Sequence, residues 1–214
     1  MERRYNPSQE EFEKYDQIWK LPAYRVRSHS EEMADQIFME ITGAQPGETV
    51  VDVGCGTGRG GLALEKQGLK PTFWDITNKG LSPEVWRRSL QSNRHHIIIS
   101  PIWYPLKPDN FGMMRPFAFD YALCADVMEH VPIEYTMAAV SNIMRHIRKG
   151  AFFKIAFYDE SFQQYVGKPL HMTVMPFEWW RDRLPEFGKL TEARHLVNAD
   201  NHQVQEGIFY LETK

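Results

Sequence analysis

The sequence predicts an α/β fold, with a seven-stranded, mostly parallel sheet that ends in an antiparallel strand and carries helices on both faces. Three observations predict it. From Glu48 onward, short apolar runs alternate with segments of helical periodicity, the pattern of repeated strand–helix units. The β-branched run Thr49–Val53 passes directly into Gly54, Gly56, Gly58, Gly60 and Gly61, and then into the helical Leu62-Ala63-Leu64. The last two runs, 190–197 and 207–211, are joined through Asn198-Ala199-Asp200-Asn201, as in a closing antiparallel pair.

At 214 residues the chain is expected to form one domain with a substantial core. Twenty-five basic against 28 acidic residues give a formal charge of −3, which argues against a strong nonspecific hold on nucleic-acid phosphates. No apolar run approaches the ~20 residues of a membrane span, so no membrane partner is expected. MERRYNPSQEEFEKY lacks the hydrophobic core of a signal peptide. Cys55 and Cys124 suggest no disulfide framework, and a cytoplasmic setting is expected.

Taken in order, Ser8 to Lys20 places Phe12, Tyr15 and Trp19 at helical spacing, and Pro22 ends that helix. Ser28-His29-Ser30-Glu31 has the form of a capping box, and Met33, Ala34, Ile37, Phe38 and Ile41 make one apolar face before Gly43 stops the second helix. Residues 1–47 are thus expected to form a helical cap on a core of residues 48–214. The glycine turn removes the Cβ atoms that would hold a ligand off the backbone, and the helix after it offers free N–H groups. A dinucleotide-binding frame, G-x-G-x-x-G, fits Gly56 to Gly61. An acid at the strand end, here Asp52, would face pyrophosphate charge in such a site. The earlier frame, Asp52-Val53-Gly54-Cys55-Gly56-Thr57-Gly58, resembles motif I of class I S-adenosylmethionine (SAM) methyltransferases, where that acid can accept from the cofactor ammonium directly or through water.

That resemblance implies a Rossmann-like fold, SAM as cofactor, and site residues along the remaining strands. The second strand, Pro71 to Asp75, delivers Asp75 at 17 residues past Gly58, near the spacing at which an acid meets a ribose diol. Ile76 follows it. Ser82-Pro83-Glu84 starts the next helix. His95 to Ser100 reads as a third strand leading to Ile102 and Trp103, candidates to sandwich the adenine. Ser100 and Pro101 stand where many family members carry an acid for the adenine amino group. The stretch to Pro116 reads as a loop.

Phe119 to Pro132 resembles the family's strand-four motif, an apolar strand that delivers an acid and then Glu-His to the cleft. Asp126 and Val127 are expected beside the cofactor, and Glu129 and His130 beside the acceptor. Ile133, Met137, Val140, Met144 and Ile147 follow helical steps, with Gly150 ending the helix and residues 151–157 forming strand five. Tyr158 to Met175 reads as a loop over the active-site edge, with a short strand at Leu170 to Val174, and Pro176 starts a further helix. ADVMEHVP paired with LHMTVMPFEWW resembles small bacterial and phage-encoded members of the family.

His130 is the leading candidate for a general base, since an unperturbed imidazole titrates near ~6.5. Its other reading is a backbone-bonded side chain that shapes the cleft. His171 is the second candidate, and Tyr158 is a candidate acceptor contact. Arg25 or Arg27 could reach the cofactor carboxylate, with Tyr24 nearby. Asp126, Glu129, Asp159 and His171 show no diagnostic metal-ligand spacing, so no metal is expected. The leading function is SAM-dependent methylation of a small polar metabolite or a sugar- or nucleotide-linked acceptor. The alternatives are a nucleic-acid methyltransferase and a noncatalytic SAM-binding module. The D/N-P-P-Y/F/W motif and the Pro-Cys dipeptide of nucleic-acid enzymes are absent, as is a basic tail. The oligomeric state is not legible.

Overall fold

In the computed structural model, which describes residues 7–26, 28–91, 97–106, 118–159, 162–197 and 204–214, β1 (Thr49–Val53) occupies the middle of the sheet. It pairs in parallel with β2 (Lys70–Asp75) on one side and with β4 (Phe119–Ala125) on the other. Beyond β2 lies β3 (Ile97–Ile99), and beyond β4 lies β5 (Ile147–Ala156), both parallel to their neighbours. β7 (Val204–Glu212) runs antiparallel to β5, and β6 (Lys189–Val197) closes the edge antiparallel to β7. The order is β3-β2-β1-β4-β5-β7-β6, so β7 alone opposes the other strands.

Alternate strand residues face two apolar layers, as expected of strands covered on both sides. Val50, Leu123, Phe152 and Ile208 pack with Met33, Phe38 and Leu64. These come from α2 (His29–Met33), the π-helical turn Ala34–Phe38 that leads to α3 (Met39–Thr42), and α4 (Arg59–Lys66). On the other face Val51, Ala122, Cys124 and Phe153 pack with Val140, Ile143 and Trp180 from α6 (Thr136–Met144) and α8 (Phe177–Arg183). α5 (Pro83–Gln91) seats Val85 against Phe73 and Cys55. α1 (Pro7–Ile18) meets α7 (Gln163–Val166) over the carboxyl edge of the parallel strands. Among the described residues no helix is long and apolar enough to cross a membrane.

Three local expectations are corrected. The helix expected from Pro132 to Gly150 ends at Met144, and Ile147 already belongs to β5, where it pairs with Phe119. Gly150 is therefore no helix stop. It lies inside β5 under the Tyr210 ring, and a Cβ there would stand 2.3 Å from the tyrosine hydroxyl. Leu170 to Val174 forms no strand, because the Met172 and Thr173 N–H groups both donate to the Glu129 carbonyl, at 2.6 and 2.8 Å. His95, His96, the turn at Asn198 to Asn201 and most of the loop to Pro116 lie outside the described residues.

Gly150→Ala is expected to destabilise the fold by about 1–3 kcal/mol, the usual cost of overpacking. Urea unfolding would register this as a lower midpoint. An unchanged midpoint would mean that Tyr210 gives way freely.

Candidate active site

The glycine turn is shaped by what crowds it. Gly54 (φ 63°) and Gly56 (φ 52°) adopt left-handed backbone that side chains resist. A Cβ on Gly54 would lie 2.3 Å from Val127, and one on Gly56 2.7 Å from the Trp19 ring. Gly58 and Gly61 serve packing, since their added Cβ atoms would strike Val85 and Phe73, respectively. Beneath the turn, Asp52 is wholly buried and its Oδ2 accepts the Gly61 N–H at 2.8 Å. Its Oδ1 has no partner, and burial raises the carboxyl to about 7. Asp75 accepts the Gly56 N–H at 2.8 Å and the Thr77 N–H at 3.1 Å. Burial raises it to about 6.

These groups border a cavity of about 500 Å³. At one end its wall is Gly54, Cys55, Gly56, Asp75, Ile76, Ile102 and Trp103; at the other it is Asp126, Val127, Glu129, His130, Tyr158 and His171. The structure thus gathers most of the sequence-predicted residues around one space. Asp52 and Gly58 are the exceptions. Both lie behind the wall, which leaves Asp52 the second of its two expected routes to the cofactor, through water.

The second end is dense in titratable groups. Asp126 has φ 53°, and both its carboxylate oxygens accept from Lys154 Nζ at 2.8 Å. Lys154, 2% exposed, also donates to Glu206 at 2.7 Å. Burial disfavours its ammonium, but the two carboxylates outweigh that and raise its pKa. The Tyr158 hydroxyl donates to Glu206 at 3.4 Å, and burial together with that carboxylate pushes it up to about 12. Glu129 is fully buried, with Oε1 accepting the Ala156 N–H at 3.2 Å. Burial, reinforced by Asp126, pushes its pKa well above the ordinary range. His130 Nδ1 lies 3.0 Å from the Leu170 carbonyl, and His171 Nδ1 meets the Tyr158 carbonyl. Burial, then His171, drives the His130 pKa well below its usual value.

The roof comes from both sides of the cleft. Tyr15, Trp19, Tyr24 and Phe162 line the cavity. Tyr15 sets its ring edge-on to His130 at 5.8 Å, and Tyr24 meets Phe162 at 5.5 Å. Lys14, 3% exposed, pairs with Glu11 at 2.5 Å and donates to the Pro169 carbonyl at 3.0 Å. Tyr15, Trp19 and Lys154 were not legible as site residues, although the first two sit on the predicted apolar stripe of α1. Arg25 is corrected. Its guanidinium donates to the carbonyls of Trp19, Lys79 and Gly80 at 3.0–3.1 Å, which fixes the roof rather than a ligand. Arg27 lies outside the described residues.

Residues 51–153 match a family profile described as a methyltransferase domain. That segment, just under half of the chain, runs from β1 into β5 and carries the glycine turn. Over 138 residues the chain is 26% identical to the ubiquinone biosynthesis O-methyltransferase of Sodalis glossinidius, an alignment covering 61% of the chain and 52% of that protein. The chain therefore spans about half the length of that relative. A structure of Burkholderia thailandensis 1,6-didemethyltoxoflavin-N1-methyltransferase, with its substrate and S-adenosylhomocysteine bound, superposes with TM-score 0.66 at 15% identity, covering 100% of this chain and 93% of that one. Magnesium protoporphyrin IX methyltransferase from Synechocystis PCC 6803, with SAM bound, superposes with TM-score 0.60 at 15% identity, covering 100% and 87%. At that identity the two structures speak for the fold.

The Synechocystis structure holds SAM, and the wall here has the make-up that such a group needs. Two glycines leave bare backbone, Asp75 faces the cavity, and Ile76, Ile102 and Trp103 give an apolar lining.

Asp52 also predicts a pH dependence. A carboxyl raised from 3.8 to about 7 on folding contributes stability that is fully present below about pH 4 and lost as pH rises to about 7. Without cofactor, Asp52→Asn should therefore gain on the wild type by roughly 2–4 kcal/mol between pH 4 and pH 8. Urea unfolding at the two pH values checks it. An equal difference at both would mean that Asp52 is ionised in the native state.

Proposed function

We propose that the protein methylates an oxygen or nitrogen of a small polar molecule, a metabolite or a sugar- or nucleotide-linked acceptor. One observation carries the reading: a single cavity joins the glycine turn to the Glu129, His130 and His171 side chains. In this reading Gly54, Cys55 and Gly56 present backbone to the methionine end of SAM, and Asp75 accepts from the ribose hydroxyls. Ile76, Ile102 and Trp103 surround the adenine. Asp52 acts from behind the turn, through water, and Val127 holds the turn against the strand-four loop. Asp126 is fixed by Lys154 at the boundary between the two ends.

SAM supplies a methyl group already activated by the sulfonium charge. The protein's task is to hold the acceptor in line with that methyl and to keep water out. Tyr15, Trp19, Tyr24 and Phe162 exclude water from above, while Glu129 and Tyr158 orient the acceptor. His130 and His171 are the candidate proton acceptors. The depressed pKa of His130 keeps its ring neutral across the physiological range. A cytoplasmic setting suits Cys55 and Cys124, which are both free and buried.

Calorimetry on Gly56→Arg should show SAM binding abolished with the circular dichroism spectrum retained; normal binding would move the site elsewhere. Asp75→Ala should weaken SAM by about 1–3 kcal/mol, roughly 5- to 150-fold in Kd. An unchanged Kd would remove the ribose assignment.

A further inference from the structure

Glu129, His130 and His171 each offer a ligand atom within 4.8 Å of the other two. The first two come from the turn after β4, and His171 comes from the segment between α7 and α8. Both imidazoles are oriented in the same way. Each Nδ1 faces a backbone carbonyl, Leu170 for His130 and Tyr158 for His171. A carbonyl only accepts, so Nδ1 carries the proton in both rings and Nε2 keeps its lone pair. Metal-binding histidines are typically held this way. The rings stand at 85° with centroids 4.6 Å apart, and among the described residues no hydrogen bond joins them to each other or to Glu129.

Glu129 supplies the independent observation. Its side chain is fully buried, one oxygen takes the Ala156 N–H, and Oε2 has no partner. A buried, unpartnered carboxylate oxygen is costly unless a proton or a cation meets it. We propose that Glu129, His130 and His171 bind one divalent first-row transition ion of the zinc class, with its remaining positions open to the cavity. Two imidazoles and one carboxylate suit such an ion, whereas calcium and magnesium prefer oxygen ligands throughout. No metal is expected from the sequence, and this set differs from the grouping of Asp126, Glu129, Asp159 and His171 set aside there. Asp126 is held by Lys154, and His130 takes its place.

The ion's use, though not its binding, rests on the methyltransferase reading. With the ion bound, His130 and His171 serve as ligands rather than proton acceptors. The ion would draw electron density from an acceptor hydroxyl, whose proton would pass to a water in the open positions of the site before the oxygen is methylated.

The test strips the protein with a chelator and dialyses it against Zn²⁺, then against Co²⁺, with metal counted by atomic absorption and the Co²⁺ visible spectrum recorded. SAM affinity is measured alongside by calorimetry. The wild type should hold one ion per chain and give Co²⁺ bands of mixed nitrogen and oxygen coordination. Glu129→Gln and His171→Ala should each lose the ion and the bands while still binding SAM. His171→Ala alone decides the matter if Glu129→Gln does not fold. A wild type with no stoichiometric ion, or variants that keep it, overturns the site. Binding SAM without the ion defeats this proposal and leaves the methyltransferase reading intact; binding the ion without SAM does the reverse.

Discussion

The cleft depends on β1 having β2 on one side and β4 on the other. The chain leaves β1 toward β2 and β3 and must return across the sheet to pair β4 with the opposite edge of β1. Loops that depart from neighbouring strands in opposite directions leave a crevice between them. Register makes this crevice tight. Val53 lies opposite Cys124, so Gly54 and Val127 meet just beyond the strand ends, where only glycine fits. The ligand-facing turn, the acid on β2 and the Glu-His pair after β4 all inherit their positions from that pairing.

The strand–helix order and most of the wall residues were legible because they repeat a pattern that depends on local chemistry: apolar runs, a glycine cluster, and acids at strand ends. What was not legible depended on partners far away in sequence. Ile147 keeps helical phase with Met144, yet its pairing with Phe119 makes it strand. Leu170 to Val174 alternates like a strand, but its N–H groups are taken by Glu129. The acid at Asp52 was legible, but not its burial under the turn, where it also supports Gly61. Arg25 carries a charge suited to a carboxylate and spends it on carbonyls instead. Lys154 sits in the apolar half of β5, after Ala151-Phe152-Phe153, and nothing local marks it as the centre of an ion network.

That network couples three strand ends. A buried lysine gripped by Asp126 and Glu206 joins the ends of β4, β5 and β7. Such pairs often add little net stability, because desolvation offsets attraction. Their geometric effect is larger. Asp126 holds a left-handed backbone that non-glycine residues avoid, and both its oxygens are fixed while it does so. The strand-four turn is thereby set before Glu129 and His130 are reached.

α1 is also tied to the segment ahead of α8 by Lys14, which pairs with Glu11 inside α1 and donates to the Pro169 carbonyl. A roof sealed by apolar side chains alone would expose them to water on opening and lose their full burial free energy. A lysine and a glutamate at such a contact would regain hydration if the two segments parted, which would offset part of the lost contact. Of the contacts that hold the roof, this one costs least to part, because both of its charged members are better hydrated outside than in.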